Sequence, residues 1–485
     1  MVKVPYVRFP VLARNGEGRI GSAELIAAVI EEIESGRLVA GSRLPPVRVL
    51  ERNLGPSKNT VQAAYEELAL RGLIEARERE GWFVSARLAR AAPEPLPPPP
   101  LPKLKPAPVL GPPRAAKDGI ALSVVFIDPE LLPTEKLADC ARSVLRQPGM
   151  AALYDAQGYP PLRAAIAERL NARGFSVSPE EVIITTGSQQ AIDLVARALE
   201  VRRVATETPV YAHGRHVFES FGIQVTGLPL DPFGRVDLAD WAARLERTRP
   251  GALYAITSFQ NPTGYSYSTH ELEQLIALSR RFDFALIEDD WGSDMLPDGE
   301  PRPTLRQLGG RSVTYINSFT KKLLPSLRVG YLIADPSLVP TLVGMKRLGT
   351  LGNAWLTEAI VCEFLERGYY DRHLSELGQA LEARYERCLE ILRRLMPEDV
   401  RFTTPGGGPT LWLELPKEID LVALAKATAD RGVYIESTNN AYLGEPHLNG
   451  FRVSYAYSAP EKLERGLTIL AEEIRRARGL RPSPA

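Results

Sequence analysis

No apolar run in the 485 residues approaches the roughly 20 that a membrane-spanning helix needs, which argues against a membrane partner. Met1 to Pro10 holds basic residues but no apolar core of the kind a signal peptide requires. Cysteine is scarce. Cys140, Cys362 and Cys388 are odd in number and far apart, so neither a disulfide framework nor a metal-ligand cluster is indicated. A cytoplasmic location is the default expectation. Charge of one sign is not in excess either: 59 Lys and Arg stand against 59 Asp and Glu. A global pull toward nucleic acid is thereby excluded, and any affinity for DNA must come from a local patch. What is present is ordinary for a globular chain, 44% hydrophobic and 24% charged, and long enough for two or three domains.

Residues 1–90 read as a small module. Leu25, Ile26, Val29, Ile30 and Ile33 recur at helical spacing over Ser22 to Glu34, and Gly36 stops that helix. A turn at Gly41-Ser42-Arg43-Leu44-Pro45-Pro46 leads into a short helix, Val47 to Leu54, closed by Gly55. Ser57 then caps a helix that buries Val61, Ala64, Tyr65 and Leu68 and leaves Lys58, Asn59, Thr60 and Gln62 on its first turns. Two helices joined by a tight glycine turn, the second led by polar residues, form a helix-turn-helix, whose second helix reads bases with those residues. Leu73 to Arg77 and Trp82 to Val84 read as a hairpin with Gly81 in its turn region. These words in this order (G-x-L-x-x-G-x-R-L-P-P-x-R, L-G-x-S-K-x-T-V-x-x-A-Y, R-G-L-I, G-W-F-V) resemble the winged helix-turn-helix of GntR-type regulators. The resemblance implies DNA contacts from Arg48, Lys58, Asn59, Thr60 and Gln62, with Arg43 on phosphate. Glu51 departs from the family pattern, and a carboxylate there repels phosphates if it faces the DNA.

Residues 91–118 are a proline-rich linker, with Pro93, Pro95, Pro97 to Pro100, Pro102, Pro106, Pro108, Pro112 and Pro113. Polyproline II at about 3.1 Å per residue makes a stiff spacer. An SH3-type ligand is the alternative, but joining two domains is the simpler role.

From 119 to 478, apolar strands alternate with amphipathic helices, the rhythm of an open, parallel-rich α/β sheet. Val182 to Thr185 runs through Thr186-Gly187-Ser188-Gln189 into a helix, and a strand, glycine turn and helix N-terminus together make an anion seat. The organising stretch is Ser318-Phe319-Thr320-Lys321, followed by Leu327-Arg328-Val329-Gly330-Tyr331, which crowds a hydroxyl, a lysine and an arginine between two core strands. It resembles the cofactor-lysine segment of fold-type I pyridoxal-phosphate enzymes, the aminotransferases. Further matching words stand in order: Tyr154 to Arg163, Gly187-Ser188-Gln189, Pro209-Val210-Tyr211, Asn261-Pro262-Thr263-Gly264, Glu288-Asp289-Asp290 and Phe451-Arg452-Val453-Ser454.

The resemblance implies pyridoxal 5'-phosphate as cofactor, Lys321 as its Schiff-base lysine and Asp289 on the pyridinium nitrogen. It implies Tyr211 against the ring, Asn261 on the phenolic oxygen, and Ser318 and Arg328 on the phosphate, with Thr320 a weaker candidate. Ser188 and Gln189 belong to the phosphate seat, and Tyr154 is expected to reach the phosphate of a neighbouring subunit. Arg452 is expected to pair with an effector's carboxylate. A large domain at about 119–340 and a small one at about 341–478 are expected. Trp291 departs from the pattern, since a tyrosine usually stands two residues after the aspartate.

A GntR-type winged helix, a proline-rich linker and an aminotransferase-like body together resemble the MocR/GabR family of bacterial regulators. That implies a homodimer on double-stranded operator DNA that senses a small amine, an amino acid or pyridoxal phosphate itself. A working aminotransferase with an appended DNA-binding module is the alternative; a DNA-binding dimer with an idle pocket is the third reading.

Overall fold

The computed structural model describes residues 20–88, 119–147, 155–296 and 302–480, apart from the side chains of Asn53 and Leu54. The expected spacer and Tyr154 lie outside the described residues. The chain divides into two compact units, Met1–Pro106 and Ala107–Ala485.

In the first unit, α1 (Ser22–Glu34), α2 (Val47–Leu54) and α3 (Lys58–Leu70) pack around Leu25, Val29, Leu44, Leu50, Val61, Ala64, Tyr65 and Leu68. Gly55 ends α2 at φ 76°, a conformation in which a side chain is strained. Ser57 Oγ accepts from Thr60 N at 3.2 Å and starts α3. The buried Tyr65 hydroxyl donates to the Pro45 carbonyl at 2.8 Å, tying α3 to the segment just before α2. β1 (Ile74–Arg77) and β2 (Gly81–Val84) pair antiparallel as the wing. Its turn falls on Glu78 to Glu80, with Arg79 at positive φ, and Gly81 opens β2.

The second unit opens with β3 (Ile120–Ala121) and then builds a seven-stranded sheet. Its strands are β4 (Val182–Thr185), β5 (Arg203–Thr208), β6 (Gln224–Pro229), β7 (Ala252–Ala255), β8 (Ala285–Asp289), β9 (Val313–Ser318) and β10 (Gly330–Ile333), in the spatial order β4-β10-β9-β8-β7-β5-β6. β4 and β10 are fully buried, as continuous apolar runs require when both faces are covered. The pairs from β5 through β9 are parallel; β10 alone runs antiparallel to both its neighbours. A parallel return needs a crossover of a dozen or more residues, usually a helix, whereas only Phe319–Val329 joins β9 to β10. The reversal keeps Ser318, Lys321 and Arg328 at one end of the sheet.

β11 (Arg401–Phe402), β12 (Thr410–Glu414) and β14 (Gly450–Ser454) form an antiparallel sheet, and β13 (Val433–Tyr434) pairs parallel with β3. Ile120 and Leu122 share a core with Leu389, Leu392, Leu411, Leu413, Leu467 and Leu470. The opening residues of the body therefore pack with its end rather than with the seven-stranded sheet. Conversely, Ala359 to Cys362 pack with Leu162, Ile166, Val182 and Ile184 beside that sheet, although they lie past position 340. Proximity in sequence does not decide which core a segment joins; the apolar face it presents does.

Candidate functional site

The C-terminal ends of parallel strands gather side chains that cannot pack into the sheet, and ligands settle there in open α/β folds. Here Asp289 ends β8 and Ser318 ends β9, while Tyr211 and Asn261 follow β5 and β7 in the connecting loops. They line a cavity of about 400 Å³ together with Ser188, Gln189, Thr320, Lys321, Arg328 and Arg452. Every expected cofactor and effector position among the described residues thus faces one cavity.

Its floor is Asp289. Tyr254, on the neighbouring β7, donates its hydroxyl to Asp289 Oδ2 at 2.7 Å, while the buried Oδ1 has no hydrogen-bond partner among the described residues. Burial pushes the carboxyl up to about 6, with Asp290 adding to the rise and the Tyr254 hydrogen bond opposing it. An acceptor left over in a buried wall is costly unless a donor arrives. Opposite in role is Lys321, whose Nζ donates to the Val125 carbonyl at 2.8 Å and sits 4.0 Å from the centre of the Phe126 ring. Burial, then Arg452 and Arg328, bring its ammonium down to about 8. The adjacent lysine is different in kind. Lys322 is buried and bonded to Asp294 at 2.7 Å and to Asn317 at 2.8 Å. Two neighbouring lysines in sequence are one cavity amine and one structural cation.

The anion seat lies at the start of helix Ser188–Ala198, whose first N–H groups lack intrahelical acceptors. Gly187 precedes it at φ 77°, and a Cβ there would fall 2.8 Å from Arg328 Nη2. A side chain there would be strained by the positive φ and would push the arginine tip aside. Arg328 Nη2 donates to the Thr186 carbonyl at 2.9 Å. Ser318 Oγ lies 2.9 Å from Thr320 Oγ1, and both line the cavity beside Arg328. Tyr211 donates to Gln189 Oε1 at 3.1 Å, which fixes its ring across the cavity.

Arg452 is already engaged. Nε and Nη2 donate to the Ser123 carbonyl at 2.9 and 2.7 Å, Nη1 donates to Asn261 Oδ1, and Nη2 pairs with Glu436 Oε2 at 2.7 Å. Trp291 donates its indole N–H to the Phe259 carbonyl at 3.2 Å, so it gives the cavity an apolar wall instead of a donor. Sequence reasoning missed Tyr254, Ser123, Val125 and Glu436. Tyr254 reads only as one more residue of a core strand, and Glu436 carries no motif at all. His213 also lines the cavity, and burial lowers its proton affinity. Arg215 is held elsewhere, by the Tyr442 carbonyl at 2.9 Å.

In the first unit Arg48, Lys58 and Asn59 are exposed at the starts of α2 and α3. Thr60 Oγ1 is 2.8 Å from Ser57 Oγ, and Gln62 donates to Glu66 at 2.9 Å, so both have partners on or beside their own helix. The backbone at Arg43 forms an antiparallel bridge with that at Phe83 of the wing. Glu51 is exposed on α2.

Among the described residues no helix is long and apolar enough to cross a membrane, and no group of acidic, histidine and cysteine side chains is arranged to hold a metal. Residues 128–470 match the family model for aminotransferase class I and II, and residues 22–84 match that for bacterial regulatory proteins of the gntR family. The HTH-type transcriptional regulator YdfD of Bacillus subtilis is 28% identical over 93% of this chain and 96% of its own length. The probable rhizopine catabolism regulatory protein MocR of Rhizobium meliloti is 28% identical over 90% of each. The crystal structure of LysN, an alpha-aminoadipate aminotransferase from Thermus thermophilus complexed with N-(5'-phosphopyridoxyl)-L-leucine, superposes with a TM-score of 0.69 at 32% identity, covering 75% of this chain and 94% of that one. The chain therefore belongs to the class I and II aminotransferase family and, with its gntR-family N-terminal domain, to the MocR-type transcriptional regulators that join the two.

Proposed function

We propose that this regulator holds pyridoxal phosphate on Lys321 and uses the loaded site to sense an amine, an amino acid or pyridoxal phosphate itself. The observation that carries the reading is Asp289, a buried carboxylate with one oxygen left without a partner among the described residues, in the same cavity as an amine of weakened proton affinity. Such a pair suits a group with a ring nitrogen to protonate and an aldehyde to receive an amine. When bound, pyridoxal phosphate supplies that aldehyde and an electron-withdrawing ring.

The chain's own residues divide the work. Arg328, Ser318 and the backbone N–H groups of Ser188 and Gln189 hold the phosphate. Tyr211 lies against the ring, Asn261 serves its phenolic oxygen, and Asp289 holds a proton at the ring nitrogen. Tyr154 of a second subunit completes the seat in a homodimer. Lys321 is a nucleophile only without its proton, and its lowered affinity raises that fraction near neutrality. The rate at which the apoprotein captures pyridoxal phosphate should accordingly climb with pH and level off above about 8. A rate that keeps climbing beyond about pH 10, as for an ordinary lysine, would contradict this; growth of the visible band in stopped flow is the measurement.

On the DNA side, Lys58, Asn59 and Arg48 read or grip the major groove from α2 and α3, and Arg43 serves phosphate. Loading the cavity changes operator binding only if the two states of the body differ in affinity for the ligand. Fluorescence anisotropy on the DNA upstream of the protein's own gene, with and without pyridoxal phosphate and amines, tests the coupling. Lys58→Ala should weaken binding and lower the salt slope by about one unit, as for one lost phosphate contact. An unchanged slope would remove Lys58 from the phosphate contacts.

The second reading, a working aminotransferase, draws on Asn261 in the cavity wall and on the likeness to LysN. Steady-state transfer to 2-oxoglutarate at about 1–10³ s⁻¹ would establish it.

A further inference from the structure

We propose that the amino acid this cavity selects is a basic one, with a second amine besides its α-amino group, and that Glu436 makes the selection. The inference rests on the loaded-site reading above and adds to it the class of ligand.

Among the described residues, the charges that line the cavity are the cations Lys321, Arg328 and Arg452 and the anions Asp289 and Glu436, with His213 as a further titratable neighbour. Phosphate answers Arg328, and the ring nitrogen answers Asp289. What remains at the ligand end is Arg452 facing Glu436, an ion pair at 2.7 Å with no net charge. The pair is built into the wall. Glu436 N donates to Ser123 Oγ at 3.0 Å, Ser123 Oγ donates to the Arg452 carbonyl at 2.8 Å, and the Ser123 carbonyl accepts twice from the guanidinium. Glu436 is only partly exposed, and Arg452 less so.

A ligand carboxylate that takes both Nη1 and Nη2 of Arg452 as a fork must displace Glu436 from Nη2. A neutral amino acid then leaves the Glu436 carboxylate partly buried without its cation, which is unfavourable in proportion to its burial. An acidic amino acid adds a second anion beside it, which is worse. A diamino acid exchanges one ion pair for two: its carboxylate takes Arg452, its distal ammonium takes Glu436, and the cavity stays neutral. A diamine lacking a carboxylate has no reason to break the existing pair.

The test is calorimetric titration of the full-length, pyridoxal-phosphate-loaded protein with L-lysine, L-ornithine, L-norleucine, L-glutamate and cadaverine. Norleucine is lysine without the distal amine, so their ratio isolates Glu436. Lysine or ornithine should bind at least about tenfold more tightly than norleucine, the effect of one well-placed charge pair. Glu436→Gln should bring the ratio close to one by weakening the basic ligand and strengthening norleucine. Norleucine, glutamate or cadaverine binding as tightly as the diamino acids would overturn the inference, as would a ratio unchanged in Glu436→Gln. Absence of heat from all five ligands in a protein that shows the visible band would also overturn it. Absence of the band before any ligand is added would instead overturn the loaded-site reading beneath it.

Discussion

Lys321→Ala abolishes the visible absorption that the protein acquires with pyridoxal phosphate, and the chain remains folded. The loss is complete rather than graded, because no other described lysine lines the cavity. The fold tolerates the change because a partly buried ammonium with weakened proton affinity favours the native state little. Lys322→Ala has the opposite phenotype. Lys322 and Asp294 are both almost fully buried at 2.7 Å. Burial alone would raise the Asp294 carboxyl, but Lys322 and Arg173 outweigh it and hold it well below the usual range. Removing the lysine takes the direct ion-pair partner from a buried carboxylate, which keeps the Tyr370 hydroxyl at 3.1 Å and the field of Arg173, so the loss of stability should reach at most about 3–5 kcal/mol. Absorbance spectra and urea unfolding of the two variants side by side make the check. Persistence of the band in Lys321→Ala would move the assignment to another residue.

Asp289→Asn separates cofactor affinity from stability. The amide oxygen still accepts from Tyr254, but no negative charge faces the cavity. A hydrogen bond to a charged group is worth about 1.5–3 kcal/mol, so the affinity for pyridoxal phosphate should fall by roughly 10- to 150-fold. The apoprotein responds the other way. Because the folded carboxyl is raised to about 6 from an ordinary 3.8, the stability it confers is fully present below the ordinary value. That contribution is lost as pH rises through about 6. At neutral pH the unloaded protein carries that penalty, and the asparagine variant does not. Equilibrium dialysis should therefore show weaker binding, while the melting temperature of the unloaded variant at about pH 7 equals or exceeds that of the parent. A variant that binds as tightly as the parent would take Asp289 off the ring nitrogen.

Much of the architecture was legible before any coordinates. The helices Ser22–Glu34 and Val47–Leu54 and the buried stripe of α3 follow from periodicity and from glycine stops, which are local in cause. The strands β4, β8 and β9 announce themselves as apolar runs between turn signals. Their pairing was less legible. The antiparallel β10, the return of Ile120 and Leu122 to the C-terminal core, and the passage of Ala359 to Cys362 to the sheet side depend on contacts between distant segments. Local propensity carries no record of those contacts. The site divides along the same line. Its motif residues were found because each stands in a recognisable word, but Tyr254 and Glu436 stand in none.

By itself the sequence determined the two kinds of domain, the family and the order of the site residues, because these rest on local patterns and on words that recur in order. Only the tertiary structure decided that Lys322, next to the cavity lysine, is a buried cation paired with Asp294, that Trp291 points its N–H into the protein, and that Arg452 already has a carboxylate partner. The reason is physical. Charge, burial and hydrogen-bond direction are properties of a place in the fold, and residues from widely separated stretches, from Ser123 to Arg452, meet there only once the chain has packed.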